Sequence, residues 1–353
     1  MEFVGSPSMN SSARCGVVVD RHVPKTAGTT VRTFLRENQR LRACDYVGYD
    51  VGRTWQSRVG FTHRSISDVR HQLNRPPLSS HRLCVEAHMV GGSFWAELAL
   101  LRTTRFARRC NIVVMLRVRE PLSWYRSYFD WAVLSRQKTG NAPQWGVNFT
   151  DWLPANMQAR FLLHGTRGQP SEWAPEVARR RSGPAIGPDR WAELEANVRA
   201  ADVVAPLERL DESLRLAIAL SGFLATPQYV TSKPQVMHGP WERLPKVTRV
   251  LPAAEFCARD GAECAAAVRA AAPADHRLYD LAQALFAQQW HSAFGKDLPP
   301  LKPRAAKAAA SPPPAAAGAA AASPTERYSK RYGERYGKQR GVRRRVRSAA
   351  RSR

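Results

Sequence analysis

Short apolar runs alternate along the chain with stretches in which apolar residues return every third or fourth position. Gly16–Val19 is such a run and predicts a buried strand, followed by a polar loop from Asp20 to Gly28. Val31, Phe34 and Leu35 then fall at i, i+3 and i+4, the stripe of an amphipathic helix. The same order returns twice. Asn111–Leu116 predicts a strand, Arg117–Glu120 a turn, and Pro121 the first residue of a helix, where a missing N–H costs nothing. Asp202–Ala205 predicts a third strand. Leu210, Leu214, Ala217 and Ile218 then mark the buried face of a helix that stops near Gly222. Leu83–Ala87 adds a fourth strand. A further helix is predicted from His276 to Trp290, with Leu278, Leu281, Leu285 and Phe286 on one stripe.

Fully apolar strands that alternate with helices predict a three-layer α/β domain with a mostly parallel central sheet covered on both faces. Chemistry in such sheets sits in the loops beyond the carboxyl ends of the strands. The segment Gly165–Arg190, rich in Gly, Pro and Arg, reads as a long surface loop. After Pro299 an Ala/Pro-rich stretch leads into an Arg- and Tyr-rich one, neither of which can bury a core. The expected organisation is a flexible N-terminus over 1–15, one domain over 16–298 and a disordered basic tail over 299–353.

Charge sharpens this picture. The 353 residues carry 54 Lys and Arg against 29 Asp and Glu, a net charge of +25, which predicts a polyanionic partner. The tail holds 15 of the basic residues and two of the acidic ones, so residues 1–298 still keep a surplus of 12. No stretch is apolar enough to cross a bilayer, and the first residues lack the basic and apolar regions of a signal peptide. The chain as given is therefore expected to be soluble. The six cysteines show no C-x-x-C, and no metal site is expected. Cys257 and Cys264 bracket a short polar segment that fits a small disulfide loop and equally fits two free buried thiols. Asn10 and Asn148 each begin an N-x-S/T sequon, a pattern compatible with secretion and common by chance.

The sharpest motif is Pro24-Lys25-Thr26-Ala27-Gly28-Thr29-Thr30, between a predicted strand and a predicted helix. Small residues let backbone N–H groups converge on an anion, and the helix start adds partial positive charge. Lys25 offers a mobile cation, while Thr29 and Thr30 are placed to cap the helix or bond phosphate oxygens. The G-x-x-x-x-G-K-S/T pattern is not met, and a plain capped turn with a solvated lysine would read the same way.

With its preceding Val23, this loop strongly resembles the 5′-phosphosulfate loop of carbohydrate sulfotransferases, above all the Golgi uronyl 2-O-sulfotransferases of heparan and dermatan sulfate. A second likeness follows the strand at 111–116. Arg119-Glu120-Pro121-Leu122-Ser123-Trp124-Tyr125-Arg126-Ser127-Tyr128 resembles the family segment R-D-P-x-x-R-x-x-S-Y-Y, whose Arg and Ser hold the donor's 3′-phosphate. Glu120 stands for the family's Asp, and Trp124 for its second Arg. A third is Val85-Glu86-Ala87-His88-Met89-Val90, similar to the family's H-G-H-V-like segment, with His88 at the second histidine and Glu86 at the first. Weaker likenesses at Val203–Leu214 and Leu278–Phe286 extend the match over about residues 17–290.

The resemblance implies a P-loop-like sulfotransferase fold and a sulfuryl transfer from 3′-phosphoadenosine 5′-phosphosulfate to a hydroxyl of an acidic, glycosaminoglycan-like polysaccharide. It gives Lys25, Thr26, Ala27, Gly28, Thr29, Thr30, Arg119 and Ser127 to the nucleotide, and Lys25 and His88 to catalysis. Glu86 is the alternative general base, because related enzymes use a carboxylate. It also implies a Golgi-lumenal location and no metal. Lys233 and His22 stay unassigned. Two other classes remain open. A nucleotide-dependent phosphotransferase or NTPase would need a Gly-Lys-Ser/Thr and a strand-end Asp for magnesium, and neither is evident. A nucleic-acid-binding protein would use the Arg/Tyr-rich tail, which equally fits a contact with an anionic membrane or glycan.

Overall fold

The strand that begins at Gly16 runs further than its apolar core. In the computed structural model, which describes residues 15–48, 82–88, 93–131, 148–164, 186–225 and 253–301, strand β1 covers Gly16–His22 and is buried throughout. Three charged or ionisable side chains, Asp20, Arg21 and His22, thus lie inside a strand where a loop was expected. Each charge is neutralised or hydrogen-bonded, the condition for burying it. Asp20 pairs with Arg117 of the neighbouring strand. Arg21 donates to the carbonyls of His22 (3.2 Å) and Phe161 (2.8 Å) and lies 5.6 Å from the centre of the Phe94 ring.

The remaining strands are β2 (Asp45–Val47), β3 (Arg82–His88), β4 (Asn111–Val118) and β5 (Val203–Pro206). They form one sheet of order β2-β3-β1-β4-β5, parallel at every pairing. The α/β class with a parallel central sheet is as expected. Strand β2 was not foreseen, being three residues long, and β4 extends past its predicted end to take in Arg117 and Val118.

Side-chain alternation along the strands sorts the core into two layers. Val17 and Val19 of β1, Leu83 and Val85 of β3, and Val114 and Leu116 of β4 face one way. They meet α2 (Ser93–Thr103), α3 (Pro121–Phe129), α5 (Met157–His164) and α6 (Pro188–Arg199). Val18, Cys84, Val113 and Met115 face the other way, against Val31, Phe34 and Leu35 of α1 (Gly28–Arg40) and Leu214 and Ala217 of α7 (Leu210–Ser221). Helices α4 (Phe149–Trp152), α8 (Ala253–Arg259) and α9 (Gly261–Ala271) join the first layer. Helix α10 (Pro273–Phe294) is longer at both ends than its predicted span and contributes to both layers. Its Gln289 accepts from the Val204 amide (2.8 Å) and donates to the Ala201 carbonyl (3.1 Å), which satisfies backbone groups around the short strand β5.

Helix α6 begins at Pro188, inside the segment expected to be a loop; the rest of that segment, 165–185, lies outside the described residues, as does Lys233. The first compact unit ends at Leu301, and the tail from Lys302 onward also falls outside them.

Three disulfides close, one of them at Cys257 and Cys264, where free thiols were the equal alternative. Cys15–Cys110 joins the entries of β1 and β4, Cys44–Cys84 ties the approach to β2 to β3, and Cys257–Cys264 links α8 to α9. The Cα separations of 5.0, 5.8 and 5.7 Å suit such bridges. The first two were invisible in the sequence because 95 and 40 residues separate the partners. Among the described residues no helix is long and apolar enough to cross a membrane.

Candidate anion-binding site at the strand ends

The chain runs from β1 outward to β2, returns to β3, then crosses β1 to reach β4 and β5. The strand order therefore reverses at β1, and ligand sites in parallel sheets open at such reversals. The predicted site residues fall at the carboxyl ends of the three central strands, β3, β1 and β4.

Beyond β1 the chain turns tightly. Lys25 (φ 66°) and Ala27 (φ 64°) both take the left-handed conformation without being glycine. Such strain costs on the order of 1–3 kcal/mol per residue and gathers at ligand-binding turns. Ala27 is the N-cap of α1, and no side chain caps this helix. Thr29 and Thr30 therefore do not cap it as the sequence implied; they lie in its first turn, before the first intrahelical bond from the Val31 amide to the Ala27 carbonyl (3.1 Å). The first-turn amides of Gly28, Thr29 and Thr30 have no carbonyl of the helix to bond. Thr26 contributes to the turn itself. It is fully buried and its hydroxyl donates to the Val23 carbonyl at 2.7 Å, so it shapes the turn from within. Gly28 is needed sterically: a Cβ there would stand 2.4 Å from Cε1 and Nε2 of His22, whose ring packs on the start of α1. His22 thereby gains a structural part that its sequence position did not reveal.

Strands β1 and β4 are neighbours, and this brings the two basic motifs into contact. The Arg119 guanidinium reaches the Lys25 carbonyl at 3.5 Å. Arg119 is itself fixed by Gln158 of α5, whose side-chain amide accepts from the Arg119 N–H and donates to its carbonyl, both at 2.9 Å. Gln158 stands on a helix start that the buried carboxylate of Asp275 holds, accepting from the amides of Gln158 (3.2 Å) and Ala159 (2.8 Å). Neither residue had a local signal, since Gln158 is 39 residues from Arg119 and Asp275 a further 117. Glu120 caps α3 by accepting from the amides of Leu122 (2.9 Å) and Ser123 (2.7 Å). Ser127 is half-buried on the second turn of α3, one turn beyond Ser123.

The corner is electropositive. Burial, and next the positive charge of Arg119, push the Lys25 ammonium below its ordinary pKa, and Asp130 pulls it back. Lys25 Nζ lies 5.7 Å from the centre of the Trp131 ring. Two cations near enough for one to lower the pKa of the other favour a multiply charged anion.

Across β1, the corner at β3 is different. Glu86 is buried and accepts a two-pronged bond from Arg32 (2.9 and 2.7 Å) and a third from the Tyr46 hydroxyl (2.6 Å). Burial and the Glu86 charge raise the Tyr46 pKa, so its hydroxyl stays a donor. Both Glu86 oxygens are engaged, which argues against the alternative general base and gives this carboxylate the work of tying α1 and β2 to β3. His88 ends β3 in backbone register with His22; its side chain lies outside the described residues. Among the described residues no group of three or more His, Cys, Asp or Glu could hold a metal ion.

No family model, curated protein or solved structure matches the chain.

Proposed function

We propose that the protein is a carbohydrate sulfotransferase with a P-loop-like architecture, which moves a sulfuryl group from 3′-phosphoadenosine 5′-phosphosulfate to a hydroxyl of an acidic polysaccharide. The observation that carries this reading is the contact between the Arg119 guanidinium and the Lys25 carbonyl. It places two phosphate-seeking motifs, 94 residues apart in the chain, side by side at the reversal of strand order. One nucleotide with a phosphate at each end suits that spacing of charge. The residues present fit such a donor, since two cations, an uncapped helix start and the half-buried hydroxyl of Ser127 collect at one end of the sheet.

When bound, the donor supplies a sulfuryl group activated by its bond to the 5′-phosphate. Lys25 and the first-turn amides of α1 hold that end and stabilise the negative charge that builds there. Arg119 and Ser127 hold the ribose phosphate. His88 takes the proton of the acceptor hydroxyl, a task suited to a group with a pKa near neutrality. The surplus of 12 positive charges on residues 1–298 draws in an acidic chain. The three disulfides support folding in an oxidising compartment, in keeping with a Golgi-lumenal enzyme.

The test is transfer of label from radiolabelled donor to a panel of desulfated glycosaminoglycans by purified protein. Wild type should label at least one acceptor. His88→Ala should label that acceptor about 10²- to 10⁴-fold more slowly than wild type, yet still bind adenosine 3′,5′-bisphosphate. Absence of label from every acceptor, together with no nucleotide binding, would overturn the reading.

A further inference from the structure

Four consecutive carbonyls of the β1–α1 turn each accept a hydrogen bond from a side chain. The Val23 carbonyl takes the Thr26 hydroxyl at 2.7 Å, and the Pro24 carbonyl takes the Trp124 indole N–H at 2.7 Å. The Lys25 carbonyl takes Arg119 at 3.5 Å, and the Thr26 carbonyl takes Nε of Arg117 at 3.4 Å. Three of these four donors come from the end of β4 and the start of α3. The shortest bond between the two segments belongs to Trp124, and shortness at this range marks the stronger bond.

Carbonyl and amide of a peptide unit point in opposite directions. Pulling successive carbonyls toward β4 and α3 therefore turns the following amides away from them, toward the open strand ends. The pull also offers a reason why Lys25 and Ala27 tolerate positive φ, because surrounding bonds must hold such conformations in place. Trp124 is well anchored for this work. It is fully buried, stacks on Tyr128 with ring centres 4.6 Å apart, and packs edge-on against Tyr125 at 5.1 Å.

We infer that Trp124 is a positioning residue for the anion loop, its indole N–H holding the Pro24 carbonyl so that the loop amides face a phosphate or phosphosulfate group. This rests on the reading of the turn as an anion site. It also assigns work to the one position where the segment after β4 carries an indole in place of a second arginine.

The test uses Trp124→Phe, which keeps a stacking ring and removes the donor, and Thr26→Val, which removes the neighbouring hydroxyl at nearly constant volume. Two readouts are needed on the full chain: amide hydrogen exchange of residues 25–30 without ligand, and affinity for adenosine 3′,5′-bisphosphate and for inorganic pyrophosphate by calorimetry. In both variants exchange in the turn should quicken and anion affinity should fall about fivefold to tenfold, the effect of one lost hydrogen bond, with the melting temperature lowered by only several degrees so that the fold persists. Unaltered exchange in Trp124→Phe overturns the inference. Faster exchange with undiminished affinity for both anions also overturns it, leaving Trp124 a packing residue. If wild type binds pyrophosphate but not the nucleotide, and both variants lose pyrophosphate, the inference stands while the sulfotransferase reading falls.

Discussion

Two arginine-bearing corners flank β1 at the same end of the sheet, and they are built on opposite principles. On the β3 side, Glu86 receives a guanidinium fork and a phenolic hydroxyl, so its charge and both its oxygens are answered within the protein. On the β4 side, Lys25 and Arg119 stand together, and the positive neighbour lowers the lysine pKa. The first corner is closed and neutralised, so it has no electrostatic reason to recruit a ligand. In the second, the proposed anion would turn repulsion between like charges into shared attraction. An arginine near a strand end is thus poor evidence of function by itself; what distinguishes the corners is that a guanidinium fork meets a buried carboxylate in one and a second cation acts on the lysine in the other.

The largest effect that separates them should come from Lys25→Ala. Turnover should fall about 10²- to 10³-fold, as when one donor to a developing negative charge is removed, while the fold persists. Near-wild-type transfer by the purified variant would take this lysine out of the chemistry and erase the distinction. Glu86→Gln should act in the opposite sense. Rate per folded molecule should hold within a few fold, but stability should drop by about 3 kcal/mol because Arg32 loses its counter-charge. A stable but inactive Glu86→Gln would make the closed corner the catalytic one.

A smaller effect probes the support behind Arg119. Burial raises the Asp275 carboxyl from its ordinary 3.8 to about 6, against the opposing pull of the amides, Tyr125 and Arg160. A carboxyl whose folded pKa lies above its unfolded value binds its proton more tightly in the fold. Its contribution is therefore complete below about pH 3.8 and is lost as pH rises through about 6. Asp275→Asn, neutral throughout, should gain on wild type by about 2 kcal/mol between pH 4 and pH 7 in paired thermal melts. Parallel curves across that range would show that the carboxyl titrates normally.

The strand cores at Val17–Val19 and Ile112–Leu116, and the helix stripe of Val31, Phe34 and Leu35, were legible because hydrophobic period is a local property. The turn around Lys25 was legible for the same reason, since small residues between strand and helix lie within a few positions. The extension of β1 through Asp20, Arg21 and His22 was not, because polar residues signal a loop unless distant partners offset their burial. Those partners lie 97 residues away at Arg117 and 140 away at Phe161. The bond from the Thr26 hydroxyl to the Val23 carbonyl was not legible either, because sequence shows a donor without showing where it points.

By itself the amino-acid order determined the alternation of strands and helices, the excess of positive charge and the presence of two basic turns, all of which depend on neighbours in the chain. Only the tertiary structure decided that β1 and β4 lie side by side, that Glu86 is already occupied while Lys25 and Arg119 meet, and that six cysteines form three bridges. Hydrogen bonds and Coulomb forces act over a few ångströms of space, whatever the length of chain between the groups, so pairing across 40 to 140 residues is set by folding.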